Sequence, residues 1–183
     1  MLAINSAGWL KSIEHCPSPN FNTRPAIDDI SLLVIHNISL PAGEFSTGHI
    51  KRLFTNTLDC TAHPSFSDLV GLTVSAHCLI ERNGNIIQFV SFLDRAWHAG
   101  VSNYKGRDNC NDFSIGIELE GIDDLPYTEQ QYKSLSLVTH AIMQQYPITP
   151  RSITGHCDIA PGRKTDPGQA FDWSGYFSML AQK

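Results

Sequence analysis

Three side chains that lie far apart in the sequence have the chemistry of a zinc site. His36 closes a continuous apolar run, His156 follows a shorter one, and Asp166 lies in a segment that holds two Pro-Gly pairs. Two imidazoles and one carboxylate form a tridentate set for Zn²⁺ and leave the fourth coordination position to water. The three residues lack the local spacing of a zinc-binding helix motif, so a core histidine and a turn aspartate would explain the same positions. Spacing alone does not decide between these interpretations.

Other side chains in these regions have the chemistry of amide hydrolysis. Lys164 precedes Asp166 by two positions in a segment that Pro167 favours as extended, so the two side chains are expected to share a side. An ammonium there could stabilise an oxyanion, although a solvated lysine is the simpler explanation. Glu118 and Glu120 share the polar face of an alternating strand, where either could transfer a proton or both could face solvent. The pattern leaves these alternatives open.

The elements that must position these residues follow from periodicity and turn signals. Residues 1–30 are expected to be irregular. Strands are predicted at 31–36, 73–80, 86–90, 113–120 and 153–156, and helices at 47–56, 128–146 and 172–181. The Asn83-Gly84 pair between two β-rich runs predicts a hairpin, and Thr128 begins a capping-box pattern. Since no repeat or linker interrupts the chain, we predict one α/β domain over residues 1–183.

Composition argues against several classes of partner. The chain has 183 residues, 42% hydrophobic and 17% charged, with 13 basic and 18 acidic residues and a net charge of −5. This balance argues against nucleic acid and against an anionic membrane surface as partners. The amino terminus lacks a secretory pattern and no apolar run could span a bilayer, so a cytoplasmic location is expected. The five cysteines have no paired spacing and are expected to be free.

Several long strings of the sequence closely resemble the AmpD family, the 1,6-anhydro-N-acetylmuramyl-L-alanine amidases. The strings are SLLVIHNISLP, VSAHCLIERNGNIIQFV, RAWHAGVS, CNDFSIGIELEG and TGHCDIAPGRKTDPG. They are long, ordered and correctly spaced, and the match runs from about Gly8 to Trp173. Wider relatives are the phage-lysozyme-type amidases and the peptidoglycan-recognition domains. The resemblance implies a mixed central β-sheet flanked by helices.

The resemblance also implies a role for each candidate residue. His36, His156 and Asp166 would be the ligands of a zinc ion. Glu118, the first glutamate of the GIELEG string, would be the general base in preference to the second. Lys164 would stabilise the oxyanion. The implied reaction is hydrolysis of the amide between the lactyl group and L-alanine of an anhydro-muramyl peptide, during recycling of peptidoglycan in the cytoplasm.

Three further residues are candidates for contact with the substrate. Asn37 stands beside a ligand and could donate to the peptide, and Trp97 and His98 could line the sugar or peptide groove. A tryptophan in a loop is also a common packing residue. His77 is expected to form a wall of the site rather than a ligand. The protein is expected to act as a monomer.

Three rival functions remain at this point. A non-catalytic module that binds peptidoglycan fragments would not need the complete set of ligands and base. A thiol hydrolase could use Cys157 beside His156 or Cys78 beside His77, but side chains of adjacent residues diverge along an extended backbone. A domain in which the metal is only structural would hold zinc without hydrolysing anything.

Overall fold

A computed structural model of the chain describes residues 2–182. In chain order the strands are β1 (Glu14–His15), β2 (Phe21–Thr23), β3 (Leu32–Ile38), β4 (Cys78–Ile80), β5 (Ile86–Gln88), β6 (Asp94–Ala96), β7 (Asn103–Tyr104), β8 (Arg107–Asp108), β9 (Ser114–Glu120) and β10 (Ile153–Gly155). The helices are α1 (His49–Phe54), α2 (Glu129–Gln145), α3 (His156–Ile159) and α4 (Trp173–Ala181). Within the described residues, six strands form a central sheet in the order β1-β5-β4-β9-β3-β10. The sheet is mixed, as predicted: β4 and β5 are antiparallel, whereas β3 is parallel to β9 and β10.

The centre of the sheet is buried on both faces. One face of β3 and β9 packs with the inner sides of α2 and α4, and the other packs with residues such as Ala99 and Ile159. The alternative in which both glutamates of β9 face solvent is therefore excluded. Glu118 and Glu120 are only 8% and 3% exposed, because a central parallel strand is covered from both sides.

Local signals predicted most of the helices. Thr128 caps α2 as expected: its Oγ1 accepts from the Gln131 N–H at 3.1 Å, and Gln131 Oε1 accepts from the Thr128 N–H at 3.1 Å. α3 begins at the last residue of the predicted strand 153–156 and lies where no helix was predicted, and β1 and β2 lie in the segment expected to be irregular. Each of these short elements depends on distant partners, as when β1 pairs with β5. No helix among residues 2–182 is long and apolar enough to cross a membrane.

Arg24 is a buried arginine that connects distant parts of the fold through hydrogen bonds. Its guanidinium donates to the carbonyl oxygens of Phe92 at 3.3 Å, Asn111 at 3.1 Å, Asp112 at 3.2 Å and Ser114 at 2.8 Å. The side chain is only 4% exposed, and burial lowers its pKa to about 10, so it remains charged at neutral pH. One cation thereby ties the amino-terminal segment to the loop before β9.

Arg24→Met is expected to lower the free energy of unfolding by at least ~3 kcal/mol, because several buried carbonyls lose a charged donor. Urea unfolding monitored by circular dichroism measures this change. The matched control is Arg52→Met on the exposed side of α1, which should change stability by less than about 0.5 kcal/mol. Equal changes in the free energy of unfolding for the two substitutions would contradict the role of the Arg24 hydrogen bonds in stability.

Candidate metal centre and active site

Three candidate ligands converge at one edge of the central sheet. His36 lies near the end of β3, and His156 begins α3 directly after β10, the parallel neighbour of β3. The carboxyl ends of adjacent parallel strands meet at one edge, which brings the two imidazoles together. Their Nδ1 atoms are 3.0 Å apart, and Asp166 Oδ2 lies 3.1 Å from that of His36 and 3.0 Å from that of His156. Both histidines are buried and Asp166 is largely buried.

The size of this triangle fits a zinc ion. With Zn–N and Zn–O bonds of 2.0–2.1 Å, the ligand atoms of a tetrahedral site lie roughly 3.3 Å apart. The chemistry of the donors fits as well. His156 Nε2 lies 3.1 Å from the carbonyl oxygen of Ala99, and a carbonyl only accepts, so Nε2 carries the proton of the neutral ring. Its Nδ1 then points a lone pair at a carboxylate oxygen, an arrangement that a cation between the two atoms stabilises.

The protonation states also match those of metal ligands, which must be deprotonated to bind. Burial lowers the pKa of His36 to about 4, so its imidazole is neutral at neutral pH. Burial raises the pKa of Asp166, but the adjacent His156 and His36 rings outweigh this effect and hold the pKa below its ordinary value. The site therefore presents the neutral imidazole of His36 beside the carboxylate of Asp166.

Glu118 lies beside the cluster on β9, paired in register with His36. Its Oε2 atom is buried and has no hydrogen-bond partner among residues 2–182. Burial raises the pKa of Glu118 well above its ordinary value; the negative charge of Asp166 adds to this, and Lys164 opposes it. A carboxyl group with a raised pKa is suited to accepting a proton and returning it.

An open cleft of about 590 Å³ gives access to the cluster. It is lined by Ala42 and by segments 37–39, 121–124 and 163–166. Lys164 is exposed on its wall, in the same lining segment as Asp166.

The three candidates for substrate contact have different positions. Asn37 lines the cleft, where its Nδ2 donates to Asp123 Oδ1 at 2.8 Å. Trp97 instead contacts the amino-terminal segment, donating from Nε1 to Asn22 Oδ1 at 2.7 Å. His98 lies behind His36, with its Nδ1 2.9 Å from His36 Nε2. Neither Trp97 nor His98 is among the residues that line this cleft.

Sequence reasoning missed several residues of this site. Asp123 follows β9 and pairs with Asn37, and the rule that parallel strands end at one edge could have identified it. Arg163 lines the cleft and donates to the carbonyl oxygen of Ala99 at 2.6 Å. Tyr127 donates from its hydroxyl to the carbonyl oxygen of Pro167 at 2.7 Å and so supports the loop that carries Asp166. No local pattern marks the last two.

Comparison with known proteins identifies the family. The family model for N-acetylmuramoyl-L-alanine amidases matches residues 26–169, most of the chain. The chain belongs to this family. The amidase is 57% identical over 176 residues to the 1,6-anhydro-N-acetylmuramyl-L-alanine amidase AmpD of Escherichia coli (strain K12), and the alignment covers 96% of each protein. The resemblance drawn from the sequence strings is thereby confirmed, and the protein is a hydrolase that acts on an amide bond.

Solved structures agree with this assignment. The amidase superimposes on the crystal structure of a selenomethionine derivative of AmpD with a TM-score of 0.94, at 54% identity, covering 98% of this chain and 99% of the other. It also matches AmpDh3 from Pseudomonas aeruginosa in complex with anhydromuramic pentapeptide, with a TM-score of 0.66 at 30% identity. That match covers 98% of this chain and 66% of the other. The predicted fold class is confirmed.

Proposed function

We propose that this amidase is a zinc-dependent enzyme of peptidoglycan recycling. Its substrate would be a 1,6-anhydro-muramyl peptide, cut at the amide between the lactyl group and L-alanine, in the cytoplasm and by a single-domain monomer. One observation carries the proposal: three ligand atoms converge beside a buried carboxyl oxygen that has no hydrogen-bond partner among the described residues. The anhydro-muramyl substrate is supported by the name of the Escherichia coli relative and by the ligand in the AmpDh3 complex.

His36, His156 and Asp166 would hold the zinc ion. Zinc bound by such residues supplies a Lewis acid that polarises the amide carbonyl and acidifies water. Glu118 takes a proton from the attacking water and later returns it to the alanine nitrogen as the amide bond breaks. Lys164 donates from the wall of the cleft to the oxyanion of the tetrahedral intermediate. Asn37, held by Asp123, positions the peptide in the cleft.

The decisive experiment measures hydrolysis of an anhydro-muramyl tripeptide and the zinc content of the same sample, before and after chelation. We expect one zinc ion per active chain, loss of peptide release after chelation, and recovery on addition of zinc. A binding module would retain the tripeptide without releasing peptide. A thiol hydrolase would resist the chelator and be inactivated by an alkylating reagent. Full activity in the chelated, zinc-free protein would overturn the proposal.

Lys164→Ala is expected to lower kcat by about 10²–10³-fold and to leave KM nearly unchanged, since an oxyanion donor acts mainly in the transition state. Steady-state kinetics with the same tripeptide measure both constants. Lys133→Ala removes an exposed lysine on α2 that pairs with Glu129 outside the cleft, and this control should keep both constants. Similar losses in kcat and in substrate affinity for Lys164→Ala would count against the assigned role.

A further inference from the structure

The outer nitrogens of both histidine ligands contact the same short segment of the chain. His36 Nε2 lies 2.9 Å from His98 Nδ1, and His156 Nε2 lies 3.1 Å from the carbonyl oxygen of Ala99. Two consecutive residues thus contact both imidazoles on the side away from the proposed ion. For His156 the partner is backbone, and for His36 it is the side chain of His98.

The hydrogen bonds of Ser114 determine which atom donates in the contacts between Ser114, His98 and His36. Ser114 Oγ lies 2.6 Å from the carbonyl oxygen of Cys110, which only accepts, so the hydroxyl proton is committed there. The same oxygen lies 3.1 Å from His98 Nε2 and must accept from it. In the neutral His98 ring, Nδ1 is then an acceptor, so His36 donates from Nε2. His36 Nδ1 keeps a free lone pair for the ion.

The position of His98 is itself well determined. Asn111 Oδ1 accepts from the backbone N–H of His98 at 3.1 Å and from that of Ala99 at 2.8 Å. Arg163 donates to the Ala99 carbonyl oxygen from the other side at 2.6 Å. Gly116 on β9 leaves the space that the ring occupies, because a Cβ atom at this position would overlap the His98 imidazole. The hydrogen bonds of Asn111 and Arg163 with residues 98–99, and the space left by Gly116, therefore fix the position of the His98 ring.

We propose that His98 is a positioning residue of the zinc centre, which fixes the tautomer and orientation of His36 rather than contacting substrate. The inference rests on the proposed function, because it requires zinc at His36, His156 and Asp166. Partners of this kind typically change metal affinity by about 10–100-fold. Ser114 influences His36 indirectly, because it accepts a hydrogen bond from Nε2 of the His98 ring.

The test compares two substitutions of nearly equal shape. His98→Asn can place an amide oxygen where Nδ1 accepts from His36, whereas His98→Leu has no acceptor. The dissociation constant for zinc is measured by competition with a chromophoric chelator, and the absorption spectrum of bound Co²⁺ reports the ligand geometry. We expect His98→Leu to bind zinc about 10–100-fold more weakly, with a changed Co²⁺ spectrum, and His98→Asn to remain close to wild type.

Equal zinc affinities of the Asn and Leu variants would overturn the inference. If His98→Leu does not fold, Ser114→Ala decides, with an expected weakening of about threefold to tenfold. Its matched control is Thr139→Val, which removes a buried hydroxyl bonded to Tyr176 at 2.7 Å between α2 and α4. Equal zinc binding by Ser114→Ala and Thr139→Val would again overturn it. If the wild-type protein binds no zinc, the proposed function fails; if only these comparisons fail, the proposed function stands.

Discussion

Glu118→Gln is expected to lower kcat by about 10²–10⁴-fold while the protein still binds one zinc ion per chain. The amide has the shape of the carboxyl group but cannot take a proton from water and return it to the leaving nitrogen. Because Oε2 of Glu118 has no hydrogen-bond partner within residues 2–182, the substitution breaks no bond to that atom. Release of peptide from an anhydro-muramyl tripeptide, followed by chromatography, and metal analysis of the same sample measure the two quantities.

The matched control is Glu120→Gln on the same strand. Glu120 accepts from the N–H of Ser46 through Oε1 at 2.6 Å and from the N–H of Arg82 through Oε2 at 3.1 Å. It therefore anchors two loops, and its substitution should lower thermal stability while most of kcat is kept. A kcat loss in Glu120→Gln as large as that in Glu118→Gln, or an active Glu118→Gln, would remove Glu118 from the role of general base.

These two glutamates show where sequence reasoning reaches its limit. Alternation along β9 correctly predicts that they share a face, since that is a property of one strand. Whether the face meets solvent depends on what packs against it, and here residues distant in sequence cover it. The alternation alone offered no way to separate a carboxylate with two backbone donors from one whose Oε2 has no hydrogen-bond partner in the part of the chain that the structure describes. Resemblance to the AmpD family selected Glu118; the hydrogen bonds now supply the physical difference between the two.

Elements with local signals were predictable. The apolar run of β3, the hairpin at Asn83-Gly84 and the capping box at Thr128 each depend on neighbouring residues alone. Arg24 shows the opposite case: it lies in a segment with no clear periodicity, and its partners are 68 to 90 positions away in the sequence. Hydrogen bonds between residues so far apart in the sequence leave no local pattern, so the sequence did not predict the role of Arg24.

In the candidate site, too, some features follow from the local sequence and others depend on long-range packing. Residue type and position at the ends of apolar runs nominated His36 and His156, but their convergence depends on β3 pairing with β10, which no periodicity encodes. His98 was named, with Trp97, as a residue that could line the sugar or peptide groove. Its place behind His36 depends on the missing side chain of Gly116, a feature visible only once β9 and the 98–99 segment are packed together.

Asp166→Ala is expected to reduce zinc content from near one ion per chain to near zero and to remove hydrolysis with it. Asp166 is the one anionic member of the His36–His156–Asp166 cluster, and its loss leaves two neutral imidazoles facing each other across 3.0 Å. Two neutral ligands hold a divalent ion much more weakly than the three protein ligands of a catalytic zinc site. Metal analysis after gel filtration in buffer without added zinc measures the loss.

Asp123→Ala provides the control for charge, because Asp123 lines the same cleft but bonds to Asn37 rather than to the histidines. It should retain zinc, although substrate affinity is expected to fall as Asn37 loses its partner. Both variants remove one negative charge from the same cleft, so a difference in zinc content isolates direct coordination from the general effect of charge. An Asp166→Ala protein with full zinc content would remove Asp166 from the set of ligands and require another group to complete the site.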